Sequence, residues 1–417
     1  DTEIVAASGT GDYALGTVTS STSALVQITT GTGDDSVTLN AADRYIVSMG
    51  DGADAVVATA TAAASVINLG DGADTFTPTA TAYNGTVDGG DGSDTVVLAA
   101  GVYSADGVWT NIETIQLGGN VTVSEAQLDN DSTFEITGGN HVVTATGVTS
   151  TDLSNITFQA GNTSSFDITG HATADSTLTG SDAVDTLTGV AGDDTLSSGL
   201  GADTLEGAAG ADTLTGGEGT DTFDGGTGAD SLILTETTAA ADNIKLTASA
   251  TNGVDTITGF AAGGGADTVT LVAADSLVGT GTGNAVVGTA TAALVAGAAV
   301  WDGTAAKFDV DIHDVGEIET TLSAFGDLDK AGVTDGTELL KALSSTSTSA
   351  TGINANAASA AAGEDMYIVA YQGGKAFLYN ANDADGNGTF IATEITLIGI
   401  FEGITAGAFA TGDFLIP

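Results

Sequence analysis

The sequence predicts an all-β chain wound as a parallel β-solenoid and followed by a mostly-β C-terminal capping domain with one or two short helices. Three observations carry that prediction. A nine-residue unit recurs six times between Gly180 and Ile233, a related loop recurs at intervals near twenty residues upstream, and single apolar residues stand at short, regular spacing throughout. A fixed period of this kind marks an architecture in which each repeat packs on its neighbours. The organisation that follows is an N-terminal β cap over residues 1–30, a solenoid of roughly 20-residue coils over 31–179, a nonapeptide roll over 180–235, and a β-rich cap and assembly domain over 236–417.

Composition narrows the function. The 417 residues carry 55 Asp plus Glu against 6 Lys plus Arg, a formal net charge of -49, with no Cys, 2 Pro and 60 Gly. A chain this acidic repels nucleic acid and anionic membrane surfaces. Without cysteine there is no disulfide framework, so stability comes from a core, from metal or from assembly. High charge and few aromatics would suit a disordered chain, yet 42% of the residues are hydrophobic and they recur periodically, which argues for a core. The basic residues are Arg44, Lys245, Lys307, Lys330, Lys341 and Lys375, so no Lys or Arg lies between Tyr45 and Ile244 to neutralise the acids there. No apolar run approaches a membrane span, and the N-terminus, DTEIVAASGT, has neither an initiator Met nor the regions of a signal peptide. The chain therefore reads as processed, or as one portion of a longer product.

The nine-residue block reads GSDAVDTLT, GVAGDDTLS, SGLGADTLE, GAAGADTLT, GGEGTDTFD and GGTGADSLI. Asp185, Asp194, Asp203, Asp212, Asp221 and Asp230 share one position, and Leu187, Leu196, Leu205, Leu214, Phe223 and Leu232 follow two residues later. Glycines, here Gly192, Gly201, Gly210, Gly217, Gly219, Gly226 and Gly228, permit tight turns and leave backbone carbonyls unobstructed, while Asp supplies a hard anionic oxygen. The triplet after the loop is a very short strand with one apolar residue facing inward, so each nonapeptide forms half a coil. Calcium takes about six to eight oxygens, more than one loop offers and within reach of two stacked loops. The pattern GGxGxDxUx, most complete in the copies opening at Gly216 and Gly225, resembles the RTX calcium-binding repeat.

Upstream, TGTGDDSV, MGDGADAV, LGDGADTF and GGDGSDTV place Asp35, Asp54, Asp74 and Asp94 at intervals of 19, 20 and 20. Their glycines are Gly31 and Gly33, Gly50 and Gly52, Gly70 and Gly72, Gly90 and Gly92, and Val37, Val56, Phe76 or Val96 follows each Asp. This block is expected to carry calcium loops along one edge, with Asp51, Asp71 and Asp91 adding oxygens, and metal-free turns along the other. Residues 101–179 keep the Thr, Val, Ile and Asn character of short strands without a ligand loop, and read as a continuing solenoid.

Beyond Ile233, TNGVDTITGFAAGGGADTVTL, with Asp255, Phe260, Asp267 and Leu271, resembles the segment that closes the roll in RTX-type exported proteins. Such a cap covers the last open strand edges. Asp311 to Ser344 has helical spacing at Val315, Ile318, Leu322 and Phe325, and Asp335 and Glu338 form a capping-box pattern. Asp383 to Glu394, DADGNGTFIATE, reproduces the EF-hand loop, with Asp383, Asp385, Asn387, the Thr389 carbonyl and Glu394 as calcium ligands, although its flanks read as strands. The terminal DFLIP resembles the uncleaved signal of type I secreted RTX proteins.

Catalytic signatures do not occur. His141, His171 and His313 are far apart and outside any H-E-x-x-H, there is no G-x-S-x-G, and aspartate-flanked glycine loops repel phosphate. The resemblance implies a secreted, non-enzymatic, calcium-dependent structural protein of a bacterial cell surface, an S-layer or extracellular fibre. Copies of itself would be its partners, with a surface polysaccharide as anchor. The alternative is a calcium-rigidified RTX adhesin or a carbohydrate- or ice-binding module. In either case calcium drives folding after export, and Asp212→Ala or Asp221→Ala is expected to weaken the roll more than Asp230→Ala, which lies at the end of the array. Chelation is expected to abolish the β-type circular dichroism contributed by residues 31–233, and calcium to restore it; a spectrum insensitive to chelator would overturn this reading.

Overall fold

The computed structural model describes residues 2–273 apart from 20–24, 41–42, 60–64, 80–84, 104–106, 129–133, 249–252 and 263–266. Beyond these it describes Val287–Thr289, Val315–Ile318, Thr334–Asp335, Thr337, Leu339, Ile353–Asn354 and most of 364–415. The protein is a parallel β-solenoid with two compact units, Asp1–Thr188 with Ser198–Gly201, and Gly189–Ser197 with Ala202–Pro417.

In the first unit one sheet stacks Thr2–Ala6, Leu25–Thr29, Arg44–Ser48, Val66–Gly72, Thr86–Gly92 and Val108–Thr110. The facing sheet stacks Ala14–Val18, Ser36–Leu39, Ala55–Ala58, Thr75–Pro78, Thr95–Leu98, Thr114–Leu117, Glu135–Gly138 and Thr157–Phe158. Every pairing is parallel, with Leu25 opposite Arg44 and Ala55 opposite Thr75, so each coil brings the chain back into register after one interval of the loop repeat. Side chains alternate across each strand. Val26, Tyr45, Ile67, Val87 and Trp109 meet Val37, Val56, Phe76, Val96 and Ile115 in the interior, all buried. From Gly101 onward the coils gain further strands, including Val121–Val123, Val142–Val148 and Ser165–Gly170. One turn there is a short helix, Glu125–Leu128, which buries Gln127 and Leu128 in a segment whose sequence reads as strand and loop only.

The coils shorten in the second unit. Thr204 pairs with Thr222 and Thr213 with Ser231, a displacement that makes two nonapeptides one turn. Leu196, Leu205, Leu214, Phe223 and Leu232, one per nonapeptide, are completely buried. Past Ile233 the turns lengthen but do not stop. Asn243–Ala248 stacks on Thr222–Asp224, Asp255–Thr258 on Ser231–Ile233, and Thr268–Ala273 on Asn243–Ala248. The end is closed by Ile395–Glu402, parallel to Asp255–Thr258, and by the antiparallel hairpin Glu364–Gln372 and Lys375–Asp383. Phe260, Phe401, Phe409 and Phe414 form the aromatic plug at this end. Phe414 of the terminal DFLIP is buried in that plug, and Phe414–Leu415 pairs with Val269 and Thr270.

The structure also departs from the helix expected between Asp311 and Ser344. Val315–Ile318 is a strand paired with Tyr367–Ala370, not a helix. Two apolar residues three apart cannot separate helix from strand over so short a stretch, and β-branched Val and Ile favour the extended form beside an existing sheet edge. Leu322 and Phe325 lie outside the described residues. Thr337 and Leu339 are helical, and the Asp335 carboxylate accepts the Thr337 N–H at 3.0 Å.

The glycine loops stack backbone on backbone. A Cβ on Gly72, where φ is +152°, would lie 1.6 Å from the Gly52 carbonyl oxygen. Gly161, by contrast, has φ of +84° with open space around it. Gly72→Ala is therefore expected to cost about 2–4 kcal/mol, strain plus steric displacement, and Gly161→Ala only about 1 kcal/mol. Calcium-saturated thermal unfolding of the two variants checks the difference; equal losses would refute the close stacking.

Candidate metal centre

Each loop ends in an aspartate whose backbone and carboxylate belong to different turns. In the first unit the Asp35 N–H donates to Asp54 Oδ1 at 2.7 Å, Asp54 to Asp74 Oδ1 at 2.7 Å, and Asp74 to Asp94 Oδ1 at 2.8 Å. Tyr13 donates to Asp35 Oδ1 at one end, and Asp94 donates to Glu113 Oε2 at the other, both at 2.7 Å. The second unit carries two such ladders. On one edge Asp194 donates to Asp212, Asp212 to Asp230, and Asp230 to Asp255. On the other Asp203 donates to Asp221, Asp221 to Asp242, and Asp242 to Asp267.

Those bonds use one oxygen of each carboxylate. The other, Oδ2, is buried without a hydrogen-bond donor in Asp35, Asp54, Asp74, Asp94, Asp212, Asp221 and Asp230. In the nonapeptide block it stands over the first glycine of its own loop: a Cβ on Gly207, Gly216 or Gly225 would come within 2.3 Å of Oδ2 of Asp212, Asp221 or Asp230. An anionic oxygen buried without a donor is costly unless a cation meets it. The donor set is oxygen only, carboxylates and glycine-loop carbonyls, which fits calcium and not a soft metal.

Electrostatics make the same point. Burial foremost, and then neighbouring carboxylates, push Asp74 and Asp212 up to about 6. Asp242 rises to about 7 and Asp255 to about 8, again chiefly through burial. Asp54, Asp94, Asp221, Asp230 and Asp267 shift in the same direction for the same first cause.

Asp185 is different. Phe166 N–H donates to its Oδ1 at 2.9 Å, while Ser181 gives Oδ2 both its N–H, at 2.7 Å, and its hydroxyl, at 2.8 Å. The loop GSDAVD has Ser181 and Ala183 in place of glycines, and protein donors occupy the oxygen that is bare in Asp212, Asp221 and Asp230. Asp230, expected at the end of its row, has Asp255 as its next member, so it is an interior position. Asp255 and Asp267, read as parts of a cap, are ladder aspartates, and Asp242 and Glu113 join them. The signal that marks them is the acid-x-apolar triplet, kept in Asp242-Asn-Ile244, Asp255-Thr-Ile257, Asp267-Thr-Val269 and Glu113-Thr-Ile115; Asp255 and Asp267 also keep a glycine two residues before, Gly253 and Gly265, whereas Asp242 and Glu113 do not. Of the EF-hand-like set, Asp383 ends one strand, Thr389 begins another, and Glu394 Oε2 accepts the Ile391 N–H at 3.0 Å; Asp385 and Asn387 lie outside the described residues.

The architecture and its donor-poor carboxylate ladders define a parallel β-solenoid built around stacked cation loops. The family model for the RTX calcium-binding nonapeptide repeat (4 copies) matches residues 79–102, 173–205 and 197–232, so the chain carries RTX repeats, and these bind several calcium ions. The first matched stretch contains the upstream loop GGDGSD. A search of curated proteins finds no match to the chain. RTX repeats on a solenoid fit a calcium-binding structural or adhesin-like protein, and RTX proteins are typically secreted. Among the described residues no helix is long and apolar enough to cross a membrane.

The raised carboxylates set a pH dependence for the calcium-free protein. A folded-state value above the unfolded one contributes stability below the unfolded value, near 3.8, and that contribution is lost as pH rises through about 6 to 8. In chelator the melting temperature is expected to fall between about pH 5 and pH 8, whereas in saturating calcium it is expected to rise, because protons compete with the ion. Melting followed by circular dichroism checks both; a chelated protein that grows more stable with pH would contradict the ladder electrostatics.

Proposed function

We propose that this protein is a calcium-dependent, self-assembling structural protein of a bacterial cell surface, without a catalytic role. It folds after export and associates with copies of itself into a sheet or fibre. The observation that carries this reading is the run of buried carboxylate ladders in a stretch with no Lys or Arg between Tyr45 and Ile244. Inside a cell, where calcium is scarce, mutual repulsion keeps such a chain extended and threadable. Outside, ions that bind only the stacked state pull folding forward by mass action. The same shortage of basic side chains leaves two copies few ordinary ion pairs to meet through, so cations are the natural bridge between their acidic surfaces.

A second reading is an RTX adhesin or glycan-binding module. It is favoured by the outward hydroxyl row Thr75, Thr95 and Thr114, paired in register on successive coils. Such a row at the strand spacing of about 4.8 Å suits a repeating polysaccharide, which could equally be the anchor of an assembled layer.

Electron microscopy of the full chain in about millimolar calcium is expected to show sheets or filaments that disperse on chelation. Single particles under both conditions would defeat the assembly reading, and glycan capture by those particles would favour the second.

A further inference from the structure

The segment that follows the last complete loop on one edge of the roll has lost the glycine pattern and replaced it with acid. In the regular loops of the second unit, the N–H of the second loop glycine donates to a backbone carbonyl one turn on. Gly192 donates to Ala209 at 3.0 Å and Gly210 to Thr227 at 2.9 Å. The equivalent N–H in the loop GGEGTD belongs to Gly219. It donates instead to a side chain, Glu236 Oε1, at 3.2 Å. Residues 234–242, LTETTAAAD, contain no glycine, so no glycine loop stacks here to offer carbonyls, and a carboxylate takes the place of one.

Three carboxylates converge as a result. One oxygen from each of Asp221, Glu236 and Asp242 lies within 4.8 Å of the others, a separation that suits the calcium shell, where ligands on opposite sides stand about 4.6–5.2 Å apart. Asp221 is 1% exposed, and its Oδ2 is buried with no hydrogen-bond donor. Asp242 is 2% exposed and occupies the next rung, with Oδ1 accepting the Asp221 N–H at 2.8 Å. Glu236 is fixed in place rather than trailing in solvent, since its Oε2 accepts the Ala240 N–H at 2.6 Å. Glu218, from the loop beneath, holds the same segment from the other direction: Oε1 accepts the Thr237 N–H at 2.7 Å and Oε2 the Thr238 N–H at 3.0 Å. Glu218 is thus spent on positioning and stands outside the converging trio.

We propose that Asp221, Glu236 and Asp242 form a terminal calcium site, outside the nonapeptide pattern, that binds one ion between the last nonapeptide loop on this edge and the segment 234–242. Its ligands are three carboxylates, where a regular loop contributes one Asp and glycine carbonyls. Calcium affinity rises with the number of anionic ligands and with their rigidity. This ion is accordingly held more tightly than those of the regular loops, and is the last to leave as calcium is withdrawn. It ties the nonapeptide coils to the longer turns that follow. The site is independent of whether copies of the chain assemble.

The test uses the full chain, stripped with chelator and dialysed against saturating calcium, with bound calcium per protein measured by elemental analysis. Glu236→Gln and Asp242→Asn are each expected to lose one ion relative to the parent while keeping its circular dichroism, and Glu218→Gln to keep the full count. An unchanged count in Glu236→Gln overturns the proposal. So does an equal loss in Glu218→Gln, which would make Glu236 a loop anchor only. Should Glu236→Gln not fold, anomalous scattering from terbium-soaked crystals of the parent protein decides: a peak among the three carboxylates is expected, and none there would overturn the site.

Discussion

The structure depends on one arrangement, an aspartate that gives its N–H to the next rung and offers only one of its two carboxylate oxygens to the rung before. Along Asp35, Asp54, Asp74 and Asp94 this linkage repeats with distances of 2.7 to 2.8 Å. It fixes the register of the coils, because a slip of a single position would bring an alanine or threonine to the rung at Asp54 or Asp74. It also leaves a bare anionic oxygen in the interior at each step. Two like charges at a strand spacing of about 4.8 Å repel by roughly 3 kcal/mol at an effective dielectric of about 20, and a column of them adds up. The hydrogen bonds that align the coils therefore create the need for a cation. Without one, the ladder is held by packing and these hydrogen bonds against its own charge.

That conditional stability explains the residue choice on each side of the rung. Before it, glycine is required because neighbouring loops stack in backbone contact, so a Cβ on Gly228 would fall 1.5 Å from the Gly210 carbonyl oxygen. After it, one large apolar residue per nonapeptide, as at Leu214 or Phe223, is all that so short a coil can enclose. The core is thin. In the nonapeptide block each turn buries two large side chains, worth about 1.5–3 kcal/mol apiece, against the ordering entropy of two whole nonapeptides. Cation binding supplies what the core lacks, which is why a protein with no cysteine can be built on so slender a section.

Much of this was legible in the sequence because the period is strict. Six nonapeptides and four longer coils give the strand, the inward residue and the loop from letters alone, and the stacking of Thr204 on Thr222 follows from two nonapeptides making a coil. What the letters conceal is where the ladder continues off its period. Asp242, Asp255 and Asp267 sit 21, 25 and 25 residues beyond the rungs they join, outside any fixed period. They become visible only once the strands Asn243–Ala248 and Asp255–Thr258 are seen to stack on the roll. The helix Glu125–Leu128 was hidden for a related reason: so short a helix has too few positions to show a period, and it forms where Leu128 finds a place in the core. The apolar spacing at Val315 and Ile318 misled because a sheet edge supplied by Tyr367–Ala370 outweighs local preference.

A ladder of this kind must end, and the described ends differ in a consistent way. At Asp185, in the first nonapeptide, both oxygens are turned to protein donors, with Ser181 supplying N–H and hydroxyl where another loop has a glycine. Asp94 meets the half-buried Glu113, whose longer side chain reaches back to the rung from a coil without a glycine loop. In the second unit the Asp221 row passes through Glu236 and Asp242 before reaching Asp267, where the Ala261 N–H donates to Oδ2 at 2.6 Å. Where a glycine loop lies on both sides, the bare oxygen is left for metal; where the pattern stops, a protein donor or an added carboxylate takes over the vacated role. The ends are thus chemically distinct from the interior, and the cation requirement follows the buried, donor-free carboxylate oxygens, not acidity in general. A formal charge of -49 is distributed accordingly, with its buried share drawn up in rows that a divalent ion matches at neutral pH.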